Sequence, residues 1–349
     1  MKYLGNKSRL LNFMEQSLHS EDIELSGVFC DLFAGTGSVG QHFKRLNMQV
    51  LSNDIMTYSY ILNRTIVGLN RTPHFSALKK VLRLPSSTSI QELLDAISRF
   101  DGTKGYFYEN FAPSGRYSRQ FFTDENACVI DKIRDSLASW SDSGTLDQAG
   151  YEYLLSSLIN AADHVANMSG TYGAYLKIWR SVALKRIRLL PLDVYDNNQA
   201  NHVFQEKAEK LIASVSGDVL YLDPPYNSRQ YASNFHVLES LAVWDKQDLK
   251  GVAGLRNYDD QKSAFSSKRL ASLSLKSILE QSDFRCIVLS YNNEGIVPRG
   301  EIVEMLSSRG RVREYVTDYR RFRTERDHEK RQYKKVDDKV TEHLWIALT

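Results

Sequence analysis

Cysteine is scarce. The three in this 349-residue chain, Cys30, Cys128 and Cys286, lie far apart, and no CxxC or Cys/His cluster surrounds any of them. That spacing fits neither a zinc site nor a disulfide framework, and it suits a reducing cytoplasm. Long apolar runs are missing as well. No stretch approaches the ~18 residues of a membrane span, and the opening MKYLGNKSRLL has no apolar core behind its basic residues. Neither secretion nor membrane insertion is expected; a cytoplasmic location is. The histidines, His42, His164 and His236 among them, have no partners at metal spacing, so no metal site is expected. Nor does the chain carry a large charge of one sign, since its net charge is +3. It has no internal repeat and no low-complexity segment.

What is present is an ordinary globular composition with an uneven charge. Hydrophobic residues make up 42% and charged ones 25%, and the length allows one large domain or two modest ones. Residues 311–335 hold ten Lys/Arg against five Asp/Glu, interleaved with Tyr315, Tyr319, Phe322 and Tyr333. Cations alternating with aromatics suit a nucleic-acid surface, where counterion release and base stacking both contribute. A solvated, salt-bridged hairpin accounts for the same composition equally well.

Periodicity organises the rest. SRLLNFMEQSLH (8–19) has helical spacing. VFCDLF (28–33), AGTGSVG (34–40), QHFKRLN (41–47) and QVLSND (49–54) read as strand, glycine turn, helix and strand, one βαβ unit. TYSYILNRTIVGLN (57–70) is a further helix. Helical segments at 94–100, 125–140 and 151–166 then alternate with loops such as GYFYENFAPSGRYSRQFF (105–122), without a β signal. Strand character returns at KRIRLLPLDV (185–194), GDVLYLDPPY (217–226), RCIVLSYN (285–292) and HLWIAL (343–348). The expected architecture is an open α/β, Rossmann-like sheet over 1–70 and 186–349, interrupted by a mostly helical insertion over 71–185.

Two motifs carry chemistry. In DLFAGTGSVG, Gly35, Gly37 and Gly40 let the backbone approach a ligand at a helix N-terminus. The spacing satisfies G-x-G-x-x-G, so a nicotinamide-dependent oxidoreductase has to be weighed. Asp31 precedes the turn, and Asp54 stands at the end of the next strand, where an acid can take ribose hydroxyls. Two acids around one turn suit a cationic ligand with a ribose better than a pyrophosphate. The second motif is YLDPPY (221–226). Pro224 and Pro225 fix the backbone and remove two N–H donors. The Asp223 carboxylate and the Pro224 carbonyl are left as paired acceptors for an exocyclic amine, and Tyr226 can stack on a base extruded from its helix.

KYLGNK (2–7), DLFAGTG (31–37) and DPPY (223–226), in that order, resemble the Dam-like, alpha-class DNA adenine methyltransferases. The resemblance spans nearly the whole chain. It departs from the usual KWxGGK at Tyr3 and at Asn6, which replaces a glycine. It implies a Rossmann-like methyltransferase sheet with a target-recognition insertion between the glycine motif and DPPY. S-adenosylmethionine is then the cofactor, bordered by Tyr3, Lys7, Asp31, Phe33, Gly35, Thr36 and Gly37. Asp54 would bind its ribose, and Asp193, in LPLDV, or less favourably Asp196, would face its adenine. Asp223, Pro224, Pro225 and Tyr226 would be catalytic. Duplex DNA would be the partner. Arg229, Tyr231 and Asn234, directly after DPPY, are expected on it, with Lys177 of the NMSGTYGAYLK loop, Arg320, Arg321 and Arg323 of the basic segment, and Arg9 and Arg116.

The expected reaction is adenine N6 methylation in a restriction–modification system, alongside a cognate endonuclease that shares the target sequence. N4 of cytosine and adenine in RNA are the nearest alternatives on the same fold. N4-cytosine enzymes usually carry Ser before PPY, which favours adenine. The oxidoreductase reading leaves DPPY unexplained. A non-catalytic DNA-binding module leaves the intact Asp223–Tyr226 tetrapeptide without a use.

Overall fold

The computed structural model describes Lys7, residues 10–320 and residues 339–349. In chain order the elements are α1 (Leu11–Ser20), β1 (Val28–Asp31), α2 (Ser38–Arg45), β2 (Gln49–Asn53), α3 (Thr57–Asn63), α4 (Ser76–Val81), α5 (Ile90–Ser98), α6 (Tyr106–Phe111), α7 (Asp124–Asp142) and α8 (Gln148–Val165). There follow β3 (His202–Phe204), α9 (Ala208–Leu211), β4 (Ser216–Leu222), α10 (Tyr231–Asn234), α11 (His236–Val243), α12 (Lys268–Gln281), β5 (Asp283–Asn292), α13 (Arg299–Ser307), β6 (Arg311–Arg320) and β7 (Lys339–Leu348).

These elements fall into two compact units. One holds the described residues up to 63 together with 196–231 and 259–349; the other holds 64–195 and 232–258. The first unit is built on a seven-stranded sheet of order β3-β2-β1-β4-β5-β7-β6. Its first five strands run parallel, and β7 lies antiparallel between β5 and β6. Strands buried on both faces need continuous apolar runs, which VFC, VLYL and CIVL supply. Phe29 of β1 stacks on Phe43 of α2 with ring centroids 3.8 Å apart, which fixes that helix over the sheet. Strand order reverses between β1 and β4, and ligands of open α/β sheets bind at such a switch point, beyond the carboxyl ends of the strands.

The second unit is helical, and its sequence sets its helix starts. Thr123 caps α7 by accepting the Asn126 N–H, Asp147 caps α8 through Gly150 at 2.7 Å, and Ser89 with Glu92 forms a capping box on α5. Asp131 of α7 is buried and accepts the N–H groups of Gly105, Phe107 and Tyr108, the orphan donors at the start of α6. GYFYENF therefore contains a helix where the sequence pattern reads as loop. Residues 232–258 group with the insertion, although the sequence gives no boundary there. Arg134 donates to the carbonyls of Leu241 and Ala242, and Arg119 to those of Gly251 and Val252.

The strand expected at 185–194 is absent: that segment is irregular. Its backbone is held by side chains instead. Asn126 bonds Lys185 O and the Ile187 N–H, and Ser98 Oγ accepts the Leu189 N–H. The strand beside β2 is the three-residue β3, too short for alternation to register. No helix among the described residues is long and apolar enough to cross a membrane.

Candidate active site

The glycine turn joins β1 to α2. Gly35 and Gly37 have φ of 52° and 77°, the left-handed region that side-chain-bearing residues avoid. The turn is pinned from β2 and α3. Gly35 N–H donates to Asp54 Oδ2 at 2.8 Å, Ala34 N–H donates to Asn53 O at 2.8 Å, and Asn63 Nδ2 and Ser59 Oγ donate to Gly35 O. Asp54 Oδ1 also accepts the Met56 N–H at 2.8 Å. Asp54 thus holds the glycine turn through one oxygen and its own following backbone through the other.

Asp31 ends β1 with 1% of its surface exposed, and neither carboxylate oxygen has a hydrogen bond of normal geometry. Burial, then the neighbouring Asp223 and Asp54 carboxylates, push its pKa up to about 8, against the pull of the Gly40 and Phe33 backbones. Burial among like charges favours the protonated form of this carboxyl, and a neighbouring cation would favour its carboxylate. A cationic ligand with hydroxyls near Asp54 fits this set of groups; a pyrophosphate does not.

The neighbouring strand β4 carries the other motif. Asp31 is in register with Tyr221, two residues before Asp223. Asp223 is largely buried, and burial is the main cause of a pKa raised to about 7, with Glu342 adding to the rise and Lys7 opposing it. Lys7 Nζ lies 3.3 Å from Asp223 Oδ1 and 2.5 Å from Glu342 Oε1. Tyr226 is half-buried. Its carbonyl accepts the Ile296 N–H at 3.1 Å, its ring meets Tyr291 edge-on at 6.2 Å, and Lys7 Nζ sits 5.9 Å from the ring centre. Phe33, also half-buried, meets Phe265 edge-on.

The first unit thus brings together Lys7, Asp31, Phe33, Gly35, Thr36, Gly37, Asp54 and the tetrapeptide Asp223–Tyr226. Asp193 belongs to the other unit and is exposed in the irregular segment. The structure instead puts the end of β3 beside Asp54, whose N–H donates to Phe204 O at 3.3 Å. Asn53 bonds Glu206 through both its amide groups, and Gln205 reaches Ile55 O and Thr57 Oγ1.

Of the residues expected on DNA, Arg229, Arg116 and Lys177 are exposed and Tyr231 is half-buried. Asn234 is buried, its carbonyl accepting the Tyr172 N–H. Arg116 N–H bonds Glu109. His42 pairs with Glu15, and buried His236 meets Tyr172 O at 2.9 Å; both are structural. Tyr3, Arg9, Arg321, Arg323 and the Arg320 side chain lie outside the described residues. The described part of the basic segment, β6, is an ion-paired strand: Arg311 and Tyr315 bond Glu21, and Glu314 bonds Arg299 and His343.

Fold and site together define a Rossmann-like methyltransferase with a DPPY motif. Residues 3–305 match the family model of the D12 class N6 adenine-specific DNA methyltransferases, and the chain belongs to that family. It is 38% identical over 335 residues to the type II methyltransferase M.FokI of Planomicrobium okeanokoites, covering 94% of this chain and 50% of that one. M.NlaIII of Neisseria lactamica is 37% identical over 93% of both chains. Modification methylase LlaI of Lactococcus lactis subsp. lactis is 35% identical over 97% of this chain and 54% of its own length. The chain thus spans about half the length of M.FokI and LlaI, and nearly all of M.NlaIII.

Proposed function

We propose that this chain methylates N6 of adenine in duplex DNA with S-adenosylmethionine as donor, as the modification enzyme of a restriction–modification system. The observation that carries the reading is the placing of Asp31 and Asp223 at the ends of adjacent strands at the switch point: one carboxyl buried without a hydrogen bond of normal geometry, the other followed by two prolines. The family assignment and the relatives' names support the same reaction.

Bound S-adenosylmethionine supplies an electrophilic methyl group on a sulfonium. Asp31 faces its cationic amino-acid part, Gly35 and Gly37 allow backbone approach, and the Asp54 carboxylate accepts ribose hydrogens. The Asp223 carboxylate and the Pro224 carbonyl accept the two amino hydrogens of an adenine, drawing the nitrogen lone pair out of the ring and toward the methyl group. Tyr226 stacks on the base, which must leave the helix to reach these acceptors. The methylated amine then sheds a proton, which Asp223, with a pKa of about 7, can take and pass to water.

In the second unit, no acid interrupts residues 164–192, which carry Lys177, Arg180, Lys185, Arg186 and Arg188, of which Arg186 pairs with Glu125 and Arg188 with Asp95. A cavity of about 550 Å3 opens there, walled by Asn160 and His164 of α8 and by Arg180 and Leu190. We read this face as a DNA contact, with Lys177 on phosphate.

Thermal unfolding with S-adenosylmethionine or NADH, followed by transfer of labelled methyl to DNA and to RNA, tests the reading. A melting temperature raised by S-adenosylmethionine alone, with label in DNA, is expected. Stabilisation by NADH, or label in RNA only, would overturn it.

A further inference from the structure

Glu342 is 3% exposed on β7, opposite Asn292 of β5, and its Oε1 accepts from both Lys7 Nζ at 2.5 Å and Ser290 Oγ at 2.6 Å. Asp223 Oδ1 lies 3.3 Å from the same ammonium, a longer contact that lacks hydrogen-bond geometry. One buried ammonium thus faces two carboxylates and is bonded to the one that does not belong to DPPY. An ammonium closing directly onto Asp223 would occupy an oxygen that the substrate amine needs.

We propose that Glu342 is a positioning residue, holding Lys7 back from Asp223 so that the Asp223 oxygens stay available to the amine. The inference rests on the methyl-transfer reading. The sequence signal is slight: an acid opening the apolar strand EHLWIAL. The groups facing Asp223 are Lys7, Glu342, Asp31 of β1, Tyr221 of β4, Tyr226, and Tyr291 of β5. Glu342 raises the Asp223 pKa, and Asp31, a neighbouring like charge, acts in the same direction. Neutralising Glu342 removes a like charge and lets Lys7 pair fully with Asp223; both changes favour the Asp223 carboxylate.

The test is the pH profile of kcat at saturating S-adenosylmethionine and DNA for wild type, Glu342→Gln and Glu342→Asp. For Glu342→Gln the acid limb moves about one pH unit lower. Its plateau kcat falls about tenfold as Lys7 ties up Asp223, while KM for S-adenosylmethionine stays within about twofold. Glu342→Asp keeps the charge and keeps the limb at the wild-type pH. A limb unmoved in folded Glu342→Gln, whatever its kcat, overturns the proposal. If Glu342→Gln does not fold, Lys7→Gln, which removes the cation that favours the Asp223 carboxylate, is expected to move the limb to higher pH; an unmoved limb there would mean that Lys7 has no hold on Asp223 to restrain, and counts equally against the proposal. A wild type that transfers no methyl group to DNA instead fails the underlying reading, and the proposal falls with it.

Discussion

Gly35 donates its backbone N–H to Oδ2 of Asp54 at 2.8 Å, so the acid we propose for the ribose also clamps the glycine turn. On that proposal, shape and ligand affinity are coupled at one side chain. Asp54→Ala is expected to weaken S-adenosylmethionine binding at least about tenfold and to cost roughly 1–3 kcal/mol of stability, because the Gly35 and Met56 donors lose their acceptor. Calorimetric titration and denaturant unfolding measure the two effects. Weakened binding with unchanged stability would mean that the clamp contributes nothing.

Asp31 sets a pH dependence. Its pKa in the ligand-free protein is raised to about 8, above the unfolded value, so the native state holds a proton that the unfolded state has lost. Stability from this group is full at acid pH and is lost as pH rises through about 8. Asp223, raised to about 7, acts in the same direction. A bound cation favours the Asp31 carboxylate, so S-adenosylmethionine binds more tightly as pH rises from about 6 to 8 and levels off above. The stabilisation it confers grows over the same range. Differential scanning fluorimetry at pH 6, 7 and 8.5 checks both trends, and Asp31→Asn should remove the pH dependence of binding.

On the DNA side, Lys177→Ala and Arg116→Ala are expected to weaken binding alike on all sequences. Each would lower the slope of log affinity against log salt by about one if its side chain meets a phosphate. Fluorescence anisotropy from 50 to 300 mM salt reads the slope. An unchanged slope would put that residue off the DNA.

Asp131 is a structural counterpart, with three backbone donors on one buried carboxylate. Asp131→Ala is expected to destabilise the helical unit by about 3 kcal/mol while leaving S-adenosylmethionine affinity unchanged. Denaturant unfolding and calorimetry separate these, and a loss of affinity in the folded variant would contradict the assignment.

The parts of the fold legible in the sequence are those with strong local signals. The β1–turn–α2–β2 unit shows as an apolar run, glycines and a helical repeat, and DPPY ends an apolar strand. β3, at three residues, has no period to read, and KRIRLLPLDV looks like a strand because its apolar residues pack while side chains take over its hydrogen bonds. The association of 232–258 with the insertion rests on Arg119 and Arg134 bonding distant carbonyls, a tertiary choice that no local pattern encodes. Of the candidate site residues, Asp31, Asp54 and Asp223 stand in motifs with strong local signals. Glu342 does not, since it reaches Lys7 from 335 residues away through strand register. Asp193 reads as standing at the end of a strand, and the structure shows that segment as irregular.

The measurement closest to the central claim is the identity of the methylated nucleoside. The protein is incubated with unmethylated DNA and methyl-labelled S-adenosylmethionine, the DNA is digested, and the labelled nucleoside is identified, with Asp223→Ala run in parallel. The account predicts labelled N6-methyldeoxyadenosine in the wild type, reduced about 100-fold or more in the variant. Label on cytosine, or equal label in adenine from both proteins, would contradict it.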